Sequence, residues 1–87
     1  MSTPKKTKFE IAVIDRVREI RLQKGFTQEY IAGLLGLERS FIGQIESPTI
    51  PSKYNLNHLN RLAKEFDCSP KDFIPDNFIE ETDWEED

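Results

Sequence analysis

Arg39, Ser40 and Gln44 bring a guanidinium fork, a hydroxyl and a carboxamide to one short segment, with Gly43 between them. At helical spacing positions 39, 40, 43 and 44 share a face, while Phe41, Ile42 and Ile45 fall on the other. The chemistry such a face suits is hydrogen bonding to the edges of bases in a DNA major groove. Arg39 has the fork that bonds both acceptors of guanine, worth about 1–3 kcal/mol of discrimination, and Gln44 is the side chain suited to adenine. A phosphate contact or a solvated surface arginine is the alternative for Arg39, and Ser40 and Gln44 suit base edges and backbone alike. Gly43 permits close approach without a contact of its own.

That face needs two helices joined by a tight turn. Thr27 follows Gly25-Phe26 and its hydroxyl can cap a helix start; Ile31, Ala32, Leu34 and Leu35 then form an apolar side. Gly36 can take the left-handed conformation that closes a helix, and Leu37 can anchor the bend. A second short helix over about 38–46 follows at once. Ala32 is small enough to let the two helices cross closely. Upstream, Thr7 and Glu10 read as a capping box, followed by the stripe Phe9, Val13, Val17 and Ile20 of a first helix ending near Gln23 or Lys24. Downstream, Pro48 and Pro51 mark residues 47–52 as a loop. A fourth helix starts near Asn55 with the stripe Leu56, Leu59, Leu62, Ala63 and Phe66. Ser69-Pro70 opens a short fifth helix carrying Phe73 and Ile74, which Pro75 stops.

The segment RVREIRLQKGFTQEYIAGLLGLERSFIGQIE, from Arg16 to Glu46, resembles the Cro/C1 type of helix-turn-helix, the XRE family, with looser similarity to about Ile74. Thr27-Gln28, Ala32, Gly36, Ile42, Ile45 and Glu46 stand at the family's pattern positions. The resemblance implies an all-α, five-helix, lambda-repressor-like domain with the helix-turn-helix at helices 2 and 3. It implies a structural ion pair between Arg21 and Glu46. It also implies phosphate contacts by Thr27 and Gln28 at the start of helix 2, where free amides and the helix dipole favour an anion. Plain capping is the other role open to these two residues. Lys53 and Tyr54 lie where the family's loops meet the DNA backbone, with packing against the core as the rival for Tyr54. Two departures stand out: Glu38 replaces a small hydroxyl residue before the recognition helix, and Pro48 with about two extra residues replaces a glycine after it.

The chain has 87 residues, 37% hydrophobic and 32% charged, which fits one small domain. No run approaches a membrane span, and MSTPKKTK lacks the apolar stretch of a signal peptide, so the expectation is a cytoplasmic protein with no membrane association. Lone Cys68 reads as a half-buried small residue, and no Cys/His cluster, nucleophile-base pair or phosphate loop suggests a metal, a cofactor or an enzyme. His58 reads as an exposed helix residue. The net charge of −4 is unevenly spread: residues 1–75 hold all 12 basic and nine acidic residues, a net of +3, and residues 76–87 hold seven acids and no base. The expected organisation is therefore a mildly basic DNA-binding domain, 1–75, and an acidic tail, 76–87, either disordered or an interaction segment built around Phe78, Ile79 and Trp84. The expected function is a sequence-specific transcriptional regulator, a homodimer on double-stranded DNA. The alternative is an antitoxin-like interaction module whose acidic tail binds a partner protein.

Overall fold

Three of the four helices begin on a side-chain cap. In the computed structural model, which describes residues 6–81, α1 (Lys8–Gln23), α2 (Gln28–Leu35), α3 (Arg39–Glu46) and α4 (Leu56–Phe66) follow one another with no strand among the described residues. Thr7 and Glu10 close the capping box of α1, Thr27 Oγ1 accepts from the Tyr30 amide at 3.0 Å, and Asn55 caps α4. The last of these boxes has an unforeseen member: His58 Nδ1 accepts from the Asn55 amide while the His58 amide donates to Asn55 Oδ1. Burial lowers the His58 pKa, so the ring favours the neutral form that can accept this bond. Gly36 closes α2 at φ 69°, ψ 31°, a left-handed conformation that costs glycine nothing, and the Leu37 amide reaches back to the Ala32 carbonyl at 2.9 Å.

Each helix contributes one apolar face to a shared core. Val13, Ile14, Val17 and Ile20 come from α1, Ile31 and Ala32 from α2, Ile42 and Ile45 from α3, and Leu59, Leu62, Ala63 and Phe66 from α4. Phe66 is fully buried, with the Phe26 ring at 5.6 Å and the Phe73 ring edge-on at 6.0 Å, so the turn after α1 and the end of the chain's last turn meet over α4. Two expectations about this region are corrected. Leu56, placed on the buried stripe of α4, is 82% exposed; it is the first residue of the helix, and Tyr54, only 8% exposed, enters the core in its place. The fifth helix is a single 3₁₀ turn, Pro70–Phe73, leaving four α-helices. Ile74 is forced to an extended conformation (φ −104°, ψ 131°) because it precedes Pro75, and the helix cannot continue.

The chain after this turn runs back to α1. The Glu81 carboxylate accepts from the Lys8 and Phe9 amides, both at 3.0 Å, filling the two donors of the first turn that the capping box leaves open. Trp84 and the tail acids Asp83, Glu85, Glu86 and Asp87 lie outside the described residues.

One buried ion pair ties the ends of two helices together. Arg21 Nε and Nη2 donate to Glu46 Oε2 and Oε1, each at 2.9 Å, and Arg21 Nη1 donates to the Phe26 carbonyl at 2.8 Å. The side chains of both partners are nearly fully enclosed. Breaking a buried pair strands a charge, so Glu46→Gln should cost about 3–5 kcal/mol, whereas replacing both partners with apolar residues should cost far less. Urea unfolding of Glu46→Gln and of the double variant Arg21→Met/Glu46→Leu measures the difference.

Candidate nucleic-acid interface

The N-terminal ends of α2 and α3 frame the surface that the candidate residues occupy. Thr27 caps only the Tyr30 amide, so among the described residues the Gln28 and Glu29 amides have no intramolecular partner. At α3 the Glu38 side chain makes no capping bond, and the amides of Arg39 and Ser40 are likewise unpartnered. Both ends therefore present donors and the positive end of a helix dipole. Between them lies an open hollow of about 570 Å³ lined by Arg21, Thr27, Gln28, Glu29 and Arg39. The Arg21 guanidinium is already committed to Glu46 and the Phe26 carbonyl, so it is Arg39 and the helix start that suit a phosphate here.

Arg39, Ser40 and Gln44 are exposed on the outer side of α3, opposite fully buried Ile42 and Ile45. Burying these two isoleucines, at about 1.5–3 kcal/mol each, fixes the rotation of the helix and so fixes what its other face shows. Gln44 is steadied from the following loop, since Ser52 Oγ approaches its Oε1 at 3.4 Å. Gly43 lies between them, and a Cβ built on it would meet only Gln28 Oε1, at an ordinary 3.8 Å. Nothing inside the chain requires glycine here, although glycine costs a helix about 0.5–1 kcal/mol relative to alanine.

The remaining candidates are placed differently from one another. Thr27 is exposed and keeps its hydroxyl hydrogen for an outside acceptor. The Gln28 carboxamide is turned inward, its Nε2 donating to Glu46 Oε1 at 2.9 Å, so one of its two N–H groups joins α2 to the end of α3. Lys53 Nζ pairs with Glu10 Oε2 at 2.7 Å and ties the loop to α1. Burial would raise the Glu10 pKa, but the Lys53 hydrogen bond, the Thr7 amide and the Lys53 charge outweigh it and hold the carboxyl below its usual range. Tyr54 takes the other role open to it, packing against the core. Its hydroxyl is buried without a partner and its ring meets His58 edge-on at 6.2 Å, so it belongs to the core. Burial, and then the Glu46 charge, push its pKa far above the ordinary tyrosine value.

Two residues that sequence reasoning passed over complete the surroundings. Arg18 Nε lies 3.6 Å from Glu46 Oε1, a partly exposed arginine one helical turn before Arg21. Its i, i+3 spacing from Arg21 was the available signal. Lys6 carries its ammonium to the far end of α3, bonding the carbonyls of Gln44, Ile45 and Ser47. No local pattern announces a contact across about forty residues. Among the described residues no group of His, Cys, Asp and Glu is placed to hold a metal ion, and no helix is long and apolar enough to cross a membrane.

Comparison with known proteins agrees with this geometry. A family model described as a helix-turn-helix domain matches residues 14–75. None of the curated protein sequences matches the chain. Among solved structures, the restriction-modification controller protein C.AhdI from Aeromonas hydrophila is 33% identical, with 74% of this chain aligned to 94% of that one at a TM-score of 0.62. An HTH_3 family transcriptional regulator from Vibrio cholerae is 23% identical, covering 75% of this chain and 35% of its own, at a TM-score of 0.61. The hypothetical transcription factor NHTF from Neisseria is 22% identical, covering 76% and 75%, at 0.62. The last two share the fold. With an all-helical fold, a glycine-closed turn between α2 and α3, and a family match over most of its length, the chain belongs to the Cro/C1-type helix-turn-helix family of transcriptional regulators.

Proposed function

We propose that the chain is a sequence-specific DNA-binding transcriptional regulator that lays α3 in the major groove. The observation that carries the reading is the division of α3: Ile42 and Ile45 are fully buried while Arg39, Ser40 and Gln44 stand exposed on the other side. Arg39 is the guanine reader, and Ser40 and Gln44 bond neighbouring base edges. The hollow at the start of α2 receives a backbone phosphate, held by the Gln28 and Glu29 amides with Thr27. Gln28 adds the N–H that Glu46 leaves unused, and Lys53 exchanges Glu10 for phosphate when DNA is present.

An α3 of eight residues spans few base pairs, so useful specificity calls for two copies on a palindromic site, spaced about one DNA turn apart. The likeness to a restriction-modification controller protein over nearly that protein's whole length supports a regulator of this small size. The acidic segment accounts for the negative overall charge without burdening the domain before it, where basic residues outnumber acidic ones.

Selection of binding sites from a random duplex pool, with the intact chain and with Arg39→Ala at two salt concentrations, tests the proposal. A palindromic motif is expected, with discrimination at one position of each half-site falling by about 1–3 kcal/mol in the variant. No enrichment at either salt, with the protein folded, would overturn specific binding by this chain. Gly43 offers an independent check. Gly43→Ala should stabilise the fold by about 0.5–1 kcal/mol in thermal unfolding. The same variant should weaken binding to the selected duplex, since the added methyl group separates the two surfaces; unchanged affinity would remove α3 from the contact.

A further inference from the structure

Residues 6–9 are held from both sides. On one side the Lys6 ammonium bonds the Ile45 carbonyl at 2.5 Å, the Gln44 carbonyl at 3.3 Å and the Ser47 carbonyl. These groups end α3, where the dipole favours a cation; the Gln44 carbonyl also accepts from the Ser47 amide at 3.2 Å. Lys6 is only 5% exposed, and burial lowers its pKa although Glu10 acts in the opposite direction. On the other side the Glu81 carboxylate grips the Lys8 and Phe9 amides at the positive end of α1, and it is 8% exposed. A single residue, Thr7, separates the two anchorages. Each anchorage joins parts of the chain far apart in sequence, and neither belongs to the hydrophobic core.

We propose that Lys6 is a positioning residue for the recognition helix, and that Glu81 holds Lys6 in place, so that the acidic segment is coupled to base reading through residues 6–9. The inference rests on the reading of α3 as the DNA-reading helix. Withdrawing the Glu81 carboxylate leaves the Lys8 and Phe9 amides without acceptors, and the first turn of α1 loosens. Lys6 then loses the fixed backbone from which its side chain reaches α3. Gln44 is the residue most exposed to the change. Its carbonyl is one of the three that Lys6 bonds, and its side chain lies on the outward face. Anything that draws the acidic segment off α1, such as a basic surface on a partner protein, would act on the helix through this path.

Amide hydrogen exchange of the intact chain without DNA tests the coupling. The variants are Lys6→Met, Glu81→Ala, the double variant, and Glu80→Ala, which removes the same charge from the exposed neighbouring residue. Glu81→Ala and Lys6→Met are each expected to speed exchange at residues 44–47 by about tenfold, with Glu80→Ala without effect. The double variant should exchange no faster there than Lys6→Met alone, as for two groups acting in one path. Amides of α4 report whether the fold as a whole is intact. Exchange at 44–47 that stays slow in Glu81→Ala, while Lys8 and Phe9 lose protection, would overturn the coupling. So would additive effects of the two changes.

Binding to the selected duplex gives the second readout. Lys6→Met should relax preference at the base read by Gln44 while the slope of affinity against salt stays unchanged, because that slope counts phosphates neutralised. A slope reduced by about one with preference intact would make Lys6 a phosphate contact and overturn its positioning role. Fast exchange at 44–47 in a chain that selects no DNA would uphold the coupling and reject the reading of α3 on which its use depends.

Discussion

The Glu46 carboxylate is the point on which the arrangement of the helices depends. It ends α3, takes two hydrogen bonds from Arg21 of α1 and one from Gln28 at the start of α2, and has Arg18 nearby. A helix of eight residues has too few internal hydrogen bonds to stand alone in water, so α3 exists because its surroundings hold it. Two buried isoleucines supply the adhesion and set its rotation. Adhesion between apolar surfaces has little direction, however, and tolerates sliding. The paired hydrogen bonds of Arg21 and Glu46 do not, because a guanidinium and a carboxylate meet in one plane and at one separation. Register along the helix therefore comes from the charged end, and rotation from the apolar face.

This division explains why the outward residues are free to vary in role. Arg39 and Ser40 make no hydrogen bond elsewhere in the described chain, and Gln44 makes one long contact with Ser52. None of them is needed to hold α3. Glu38, where the family has a small hydroxyl, provides no side-chain cap, and the fold bears that loss because Glu46 and the core secure the helix from its other end. The inward turn of Gln28 follows from the same centre: a carboxylate with two oxygens can accept more than the Arg21 fork supplies, and the Gln28 carboxamide is within reach.

What the sequence made legible was what neighbouring residues decide. Thr7 with Glu10, Thr27, Gly36 and Asn55 mark helix ends through bonds spanning three or four residues, and the apolar spacing of α1 and α3 points to the core. The misreadings come from contacts that no local pattern contains. Leu56 fits the stripe of α4 by spacing, yet burial depends on whether another element covers the helix's first turn, and Tyr54 occupies that place. Pro70 and Ser69 open a turn correctly, but the steric demand of Pro75 on Ile74 leaves room for one 3₁₀ turn rather than a helix. Of the candidate site, the outward face of α3 could be read from periodicity alone. The inward commitments of Gln28, Lys53 and Tyr54 could not, because the first two depend on partners eighteen and forty-three residues away and the third on burial in the core.

The central claim is that the outer face of α3, with the start of α2, meets DNA. The most direct measurement is a heteronuclear NMR titration of the intact chain with the duplex recovered by selection, following backbone amides residue by residue. The account predicts the largest changes at residues 27–29 and 39–44, with small changes at Leu56, Ile74 and Phe78. Changes concentrated around Leu56, Ile74 and Phe78, with residues 39–44 undisturbed, would contradict it.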